Sequence, residues 1–129
     1  GGSHPALLFG HLIGADWVHA FSPFTNLEPE HLLNSPWPFP WTGAFAARVR
    51  ELGPAVLPYC NLKKVLAAWN GRTTFNLHAC SGNAPTVAHA LNLQGLPNVR
   101  LFSYPCDTHV VLRRIMRGGA LPLNYAAYH

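Results

Sequence analysis

Apolar residues fall along the chain in short runs of changing period. From Pro5 to Gly14 they are nearly continuous ("PALLFGHLIG"), and periodicity leaves a buried strand and a short helix both open. The stretch from Phe21 to Trp41 holds five prolines (Pro23, Pro29, Pro36, Pro38 and Pro40), which preclude regular structure apart from one helical turn within Glu28 to Asn34. Its aromatics Phe21, Phe24, Trp37, Phe39 and Trp41 predict an ordered, packed loop, since a disordered linker lacks such residues. "TGAFAARVREL" predicts a helix over Thr42 to Leu52, with Thr42 as N-cap and Gly53-Pro54 as the stop. A second helix follows Cys60, with Leu62, Val65, Leu66 and Trp69 on one face and Asn70-Gly71 at its end. "TTFNLHAC" reads as extended, and "PTVAHALNL" as helical with Pro85 in its first turn. Val99 to Tyr104 and Thr108 to Met116 read as strands joined by the tight turn "PCD" into an antiparallel pair. "ALPLNYAAYH" adds a last short strand. Helices before strands predict an α+β fold with a small antiparallel sheet, one domain over residues 1–129 without internal repeats.

Charged residues make up only 11% of the chain, against roughly 25% in ordinary globular domains, so uncharged polar and apolar groups must form much of the surface. The net charge of +4 comes largely from Arg48 and Arg50, Lys63 and Lys64, and Arg113, Arg114 and Arg117. Nucleic-acid binding needs such cations on one face among stacking aromatics, and a solvated face is the simpler expectation. Three cysteines at irregular spacing argue against a disulfide framework and for a reducing compartment. No apolar run reaches the 18 or more residues of a membrane span, and no signal peptide is expected. "GGSHP" reads partly as an expression remnant, which leaves His4 without functional weight. Neither a Gly-rich phosphate loop nor a Ser nucleophile elbow is present, so no cofactor is expected.

The candidate chemistry centres on cysteine. Cys60 precedes a helix, whose N-terminal N–H groups and dipole favour a thiolate. A nucleophilic thiol needs a base, and His109 opens the apolar strand "HVVL"; Asn124 is placed to return beside it and orient the ring. With "PYCNL" as the nucleophile turn, "THVVL" as the base strand and "LNY" as the orienter, the chain resembles the papain-like cysteine proteases, in their compact viral leader-protease and bacterial effector branches. The resemblance covers Leu57 to Tyr125 and implies a helical part packed on an antiparallel sheet. It also implies attack of Cys60 on a protein amide, with His109 as base and acid and Asn124 as orienter. A protein or polyprotein substrate follows, with self-release or a secreted effector acting in the host or target-cell cytoplasm. Asn61 stands where viral relatives carry an aromatic residue. The oxyanion hole would then use the Cys60 N–H with Asn61 or a side chain of the proline-rich loop.

Three alternatives compete. "FNLHACSGN" resembles the nucleophile strand of caspase-like peptidases, which implies Cys80 as nucleophile and His11 as base. His78 and Cys80, with Cys106 and His109, form a Cys/His set of zinc-ligand type suited to a closed structural site. The third is a non-enzymatic protein-binding module using the aromatic, proline-rich loop from Phe21 to Trp41.

Overall fold

A computed structural model of the chain describes residues 2–107 and 127–128. The apolar run at the start is a helix, α1 (Ser3–Leu12), followed by β1 (Trp17–Phe21). The long connection from β1 carries α2 (Pro29–Leu33), α3 (Thr42–Leu52), two 3-10 turns (Gly53–Ala55 and Leu57–Tyr59) and α4 (Leu62–Leu66). Then come β2 (Thr74–Cys80), α5 (Ala84–Asn92), β3 (Val99–Tyr104) and β4 (Ala127–Tyr128).

The strands form one sheet in the order β1-β2-β3-β4, with β1, β2 and β3 parallel. This corrects the expected papain-like architecture with a small antiparallel sheet. The physical reason lies in the connections. Each step between β1, β2 and β3 passes through helix, which returns the chain to the same end of the sheet and makes the next strand parallel. Among the described strands only β4 is antiparallel, pairing Leu101 with Tyr128 and Phe102 with Ala127. The expected hairpin partner, Thr108 to Met116, lies outside the described residues.

Period-2 alternation assigns the two faces of the sheet. Phe75, Leu77 and Ala79 of β2 are buried on one side with Val18, Ala20 and Leu101. Leu7 of α1, Leu62 and Leu66 of α4, Ala90 of α5 and Leu93 just after α5 pack against that side to form the core. Gly10 lets α1 lie directly on β1, because a Cβ there would overlap Val18 Cγ2. The opposite side carries His19, Phe21, Asn76, His78, Phe102 and Tyr104.

Several helix ends follow their sequence signals. Leu52 ends α3, and Gly53 then takes φ 56°, a backbone state that glycine adopts freely. Thr42 is the first helical residue rather than the cap, because its Oγ1 accepts from Phe39 N–H and closes the turn before α3. Asn61 and Asn83 cap α4 and α5 by accepting from Lys63 N–H and Thr86 N–H. The cysteine expectation is also corrected: Cys80 and Cys106 form a disulfide. Cys80 ends β2 opposite Tyr104 of β3, so a cysteine two residues beyond Tyr104 meets it at the same edge.

Candidate functional site

The sheet's carboxyl edge gathers the segment after β1, the β2–α5 turn and the segment after β3, the usual place for ligand sites in parallel α/β folds. Here the β2–α5 turn is locked to β3. Ser81 N–H donates to Tyr104 O, Gly82 N–H donates to Cys106 O, and the Cys80–Cys106 disulfide lies alongside. Gly82 is required for the approach, since a Cβ would sit 2.9 Å from Cys106 O.

Beside this edge, the proline-rich stretch after β1 builds a cavity of about 550 Å³. Phe24 is held by donation of its N–H to Ser3 Oγ at the start of α1. Side-chain oxygens set the turns between the prolines: Ser35 Oγ accepts from Trp37 N–H, and Thr42 Oγ1 from Phe39 N–H. Phe39 and Trp41 then stack at 5.4 Å and 8°, with Phe24 edge-on to both and Phe45 of α3 edge-on to Trp41. His4, Pro5, Phe24, Leu27, Phe39, Trp41 and Phe45 line the cavity. A mostly apolar wall with one polar ring suits an apolar group. Burial holds His4 below the usual histidine range, although its Nε2 donates to Cys60 O at 3.3 Å, an interaction that acts the other way.

A second cavity of about 320 Å³ shares Phe39 and is more polar, with Glu30, His31, Asn34, Ser35, Thr42 and His89 in its wall. His89 Nδ1 accepts from Thr25 N–H at 3.0 Å, so the ring's proton is carried on Nε2 in the neutral form. Thr25 Oγ1 donates to the His89 carbonyl and accepts from Asn92 Nδ2. These bonds join α5 to the segment that bears the aromatic wall.

On the sheet's other side, His78 lies between Phe21 and Phe102, with ring centroids at 4.6 and 5.2 Å. Its Nε2 shares a proton with His19 Nδ1 at 3.0 Å, and its Nδ1 shares one with the Tyr104 hydroxyl at 2.7 Å. Burial, reinforced by the neighbouring His19, lowers His78 to about 4.

Of the residues expected to carry chemistry, the structure describes Cys60, Asn61, His11, His78, Cys80 and Cys106. Cys60 is a buried core thiol directed at Val56 O. Burial, with the Glu28 charge adding to it, pushes its pKa up, away from thiolate character. The helix behind it, α4, has only five residues, and Asn61 already caps it. The Asn61 side chain is also engaged elsewhere, donating to Glu28 Oε1 and accepting from Asn92 Nδ2. That pairing with Asn61 and with Lys64 Nζ lowers Glu28, the Lys64 bond being the larger cause. His109 and Asn124 lie outside the described residues, as do Arg113, Arg114 and Arg117.

Cys80 ends β2 at the carboxyl edge. His11 is at the far end of α1, where its carbonyl accepts from Asn70 Nδ2 ahead of β2, so the strand's length separates the two. Of the zinc-type set, Cys80 and Cys106 meet as a disulfide and His78 is on the same strand as Cys80. No group of three or more Cys, His, Asp or Glu is arranged for a metal among the described residues. None of the described helices is long and apolar enough to cross a membrane.

Two side chains that line the larger cavity lie outside the sequence-based candidates. His4 was set aside with the "GGSHP" opening, yet it lines the larger cavity. Phe45 was read only as a helix residue, although its place one turn after Trp41 was the available signal. Comparisons of the chain with protein-family models, with curated proteins and with solved structures found no match.

Proposed function

We propose that the chain acts as a protein-binding module that takes an apolar side chain of a partner polypeptide into the cavity between α1, the segment after β1 and α3. The observation that carries this reading is the cavity itself, about 550 Å³ walled by Phe24, Leu27, Phe39, Trp41 and Phe45. Rigid aromatic rings make large contact area with little side-chain entropy to lose, which is why they anchor binding surfaces. The exposure of Trp41 and Trp37 and the low charge of the chain support the same reading. Cys60 takes the role of a core residue here rather than that of a nucleophile, in keeping with its burial and raised pKa.

Dye-labelled hexapeptides with Leu, Phe or Trp at the centre, compared with Asp- and Lys-centred controls, test the reading by fluorescence polarisation. The apolar-centred peptides bind more tightly, and Trp41→Ala weakens them about tenfold, or about 1.4 kcal/mol. Equal binding across the peptides, or binding indifferent to Trp41→Ala, removes the proposal.

A further inference from the structure

At the opposite side of the molecule from β4, the sheet ends on an open strand. β1 is last in the strand order, and among the described residues only β2 pairs with it. Thr74 N–H donates to Asp16 O and Ser22 N–H donates to His78 O. Backbone groups alternate sides along a strand, so residues 16, 18, 20 and 22 turn toward β2. The N–H and C=O groups of Trp17, His19 and Phe21 therefore face outward. β1 contains no Pro and no Lys or other charged residue, two of the devices that blunt such an edge.

Apolar surface accompanies the open ladder. Trp17 is 65% exposed, and on and just after the neighbouring α1 Phe9, Leu12 and Ile13 are 58%, 59% and 78% exposed. Close contact of Gly10 with Val18 fixes α1 over one face of β1, while alternation puts Trp17 on the other face, so apolar surface flanks the open edge on both faces of the sheet. We propose that this edge is a homodimer interface, in which two copies join their β1 strands antiparallel about a two-fold axis through His19.

The sequence of β1 singles out a second copy as the occupant. "WVHAF" reads aromatic, small apolar, His, small apolar, aromatic, and so is nearly palindromic about His19. An antiparallel dyad at His19 sets Trp17 opposite the partner's Phe21 and His19 opposite its own equivalent. Aromatic cross-strand pairs of this kind stabilise antiparallel ladders. A two-fold axis perpendicular to the sheet keeps both α1 helices on the same face, where Phe9 and Ile13 of the two copies meet. The four exposed side chains offer on the order of 500 Å² of apolar surface per copy. With the strand backbone included, this reaches the roughly 1,000 Å² total that a specific interface needs.

The test is sedimentation equilibrium of the whole 129-residue chain over a range on the order of 1 to 100 µM. The expected result is a reversible dimer of the 14.1 kDa chain. Trp17→Lys and Ile13→Lys each weaken it at least about tenfold, while Leu91→Lys, on the exposed face of α5, leaves it unchanged. Hydrogen exchange supplies a second readout: the Trp17, His19 and Phe21 amides gain protection as concentration rises, and those of Val18 and Ala20 do not. A monomer throughout the range overturns the proposal. So does a dimer indifferent to both lysine substitutions, or one that forms without change at the three outward amides.

Discussion

On the side of β2 that meets the helices, Phe75 and Leu77 pack among Leu7, Leu62, Leu66 and Leu93; on the other side, Asn76 and His78 lie among His19, Phe21, Phe102 and Tyr104. The same seven-residue strand supplies both linings by alternation. The first side is stabilised by area removed from water, at about 25 cal/mol per Å², a contribution insensitive to pH. The second depends on every buried polar atom finding a partner. Asn76 Nδ2 donates to Val18 O, and both ring nitrogens of His78 are engaged. The difference teaches that burial alone describes a strand poorly. One face tolerates conditions that the other does not.

The largest expected effect comes from breaking the apolar side. Phe75→Ala removes a fully buried ring and is expected to cost about 3 to 5 kcal/mol in urea unfolding; a cost near 1 kcal/mol would mean that this side is not the main source of stability. Opening the Cys80–Cys106 bridge comes next. It closes a loop of sequence separation 26, for which chain entropy predicts about 3.5 kcal/mol. Thermal melts with and without reductant, repeated on Cys80→Ser/Cys106→Ser, read that loss, and coincident melts would refute it.

The third effect sharpens the contrast between the faces. The unfolded chain protonates His78 near 6.5 and the folded chain near 4, so the unfolded state binds more protons between those values. Stability is full above about pH 6.5 and falls as pH drops toward 4, by up to about 3 kcal/mol. His4, also lowered by burial, adds in the same direction. Urea midpoints across this range should therefore fall steeply in the native chain and less so in His78→Phe; equal slopes would contradict the assignment. The smallest effect belongs to Cys60. Cys60→Ala is expected to cost about 1 kcal/mol, and iodoacetamide should label Cys60 more slowly than an exposed thiol. Rapid labelling with a lowered pKa would restore it as a nucleophile.

The legible elements were those with strong local signals. Strand β3 was read at its observed limits, and β2, α3 and α5 within a residue or so, because alternation, Pro85 and Gly53-Pro54 act within a few residues. β1 went unread, since "WVHAF" is short and carries a histidine in its middle. Strand direction was illegible for a different reason: it depends on how α5 and the long crossover pack, and no local window contains that. The disulfide was hidden by the same gap, although "FNLHAC" and "VRLFSYPC" flanking one helix were a usable sign of parallel neighbours ending in cysteine. Of the candidate site, Phe24, Phe39 and Trp41 stand out in the sequence as aromatics among prolines. The burial of Cys60 does not, because the cap geometry that suggests an activated thiol says nothing about what surrounds the sulfur.

The unequal connections also set an order of assembly. The β2–α5–β3 unit joins its strands through a single helix, whereas β1 reaches β2 only across α2, α3 and α4. Closing the longer loop loses more chain entropy before any strand pairing repays it, so the compact unit is the natural nucleus and β1 docks late. During that interval β2 has an unpaired edge of its own, and Phe75 and Leu77 still lack the cover of α1. A nascent chain is then most open to wrong pairing at the strand that becomes the best buried in the finished protein.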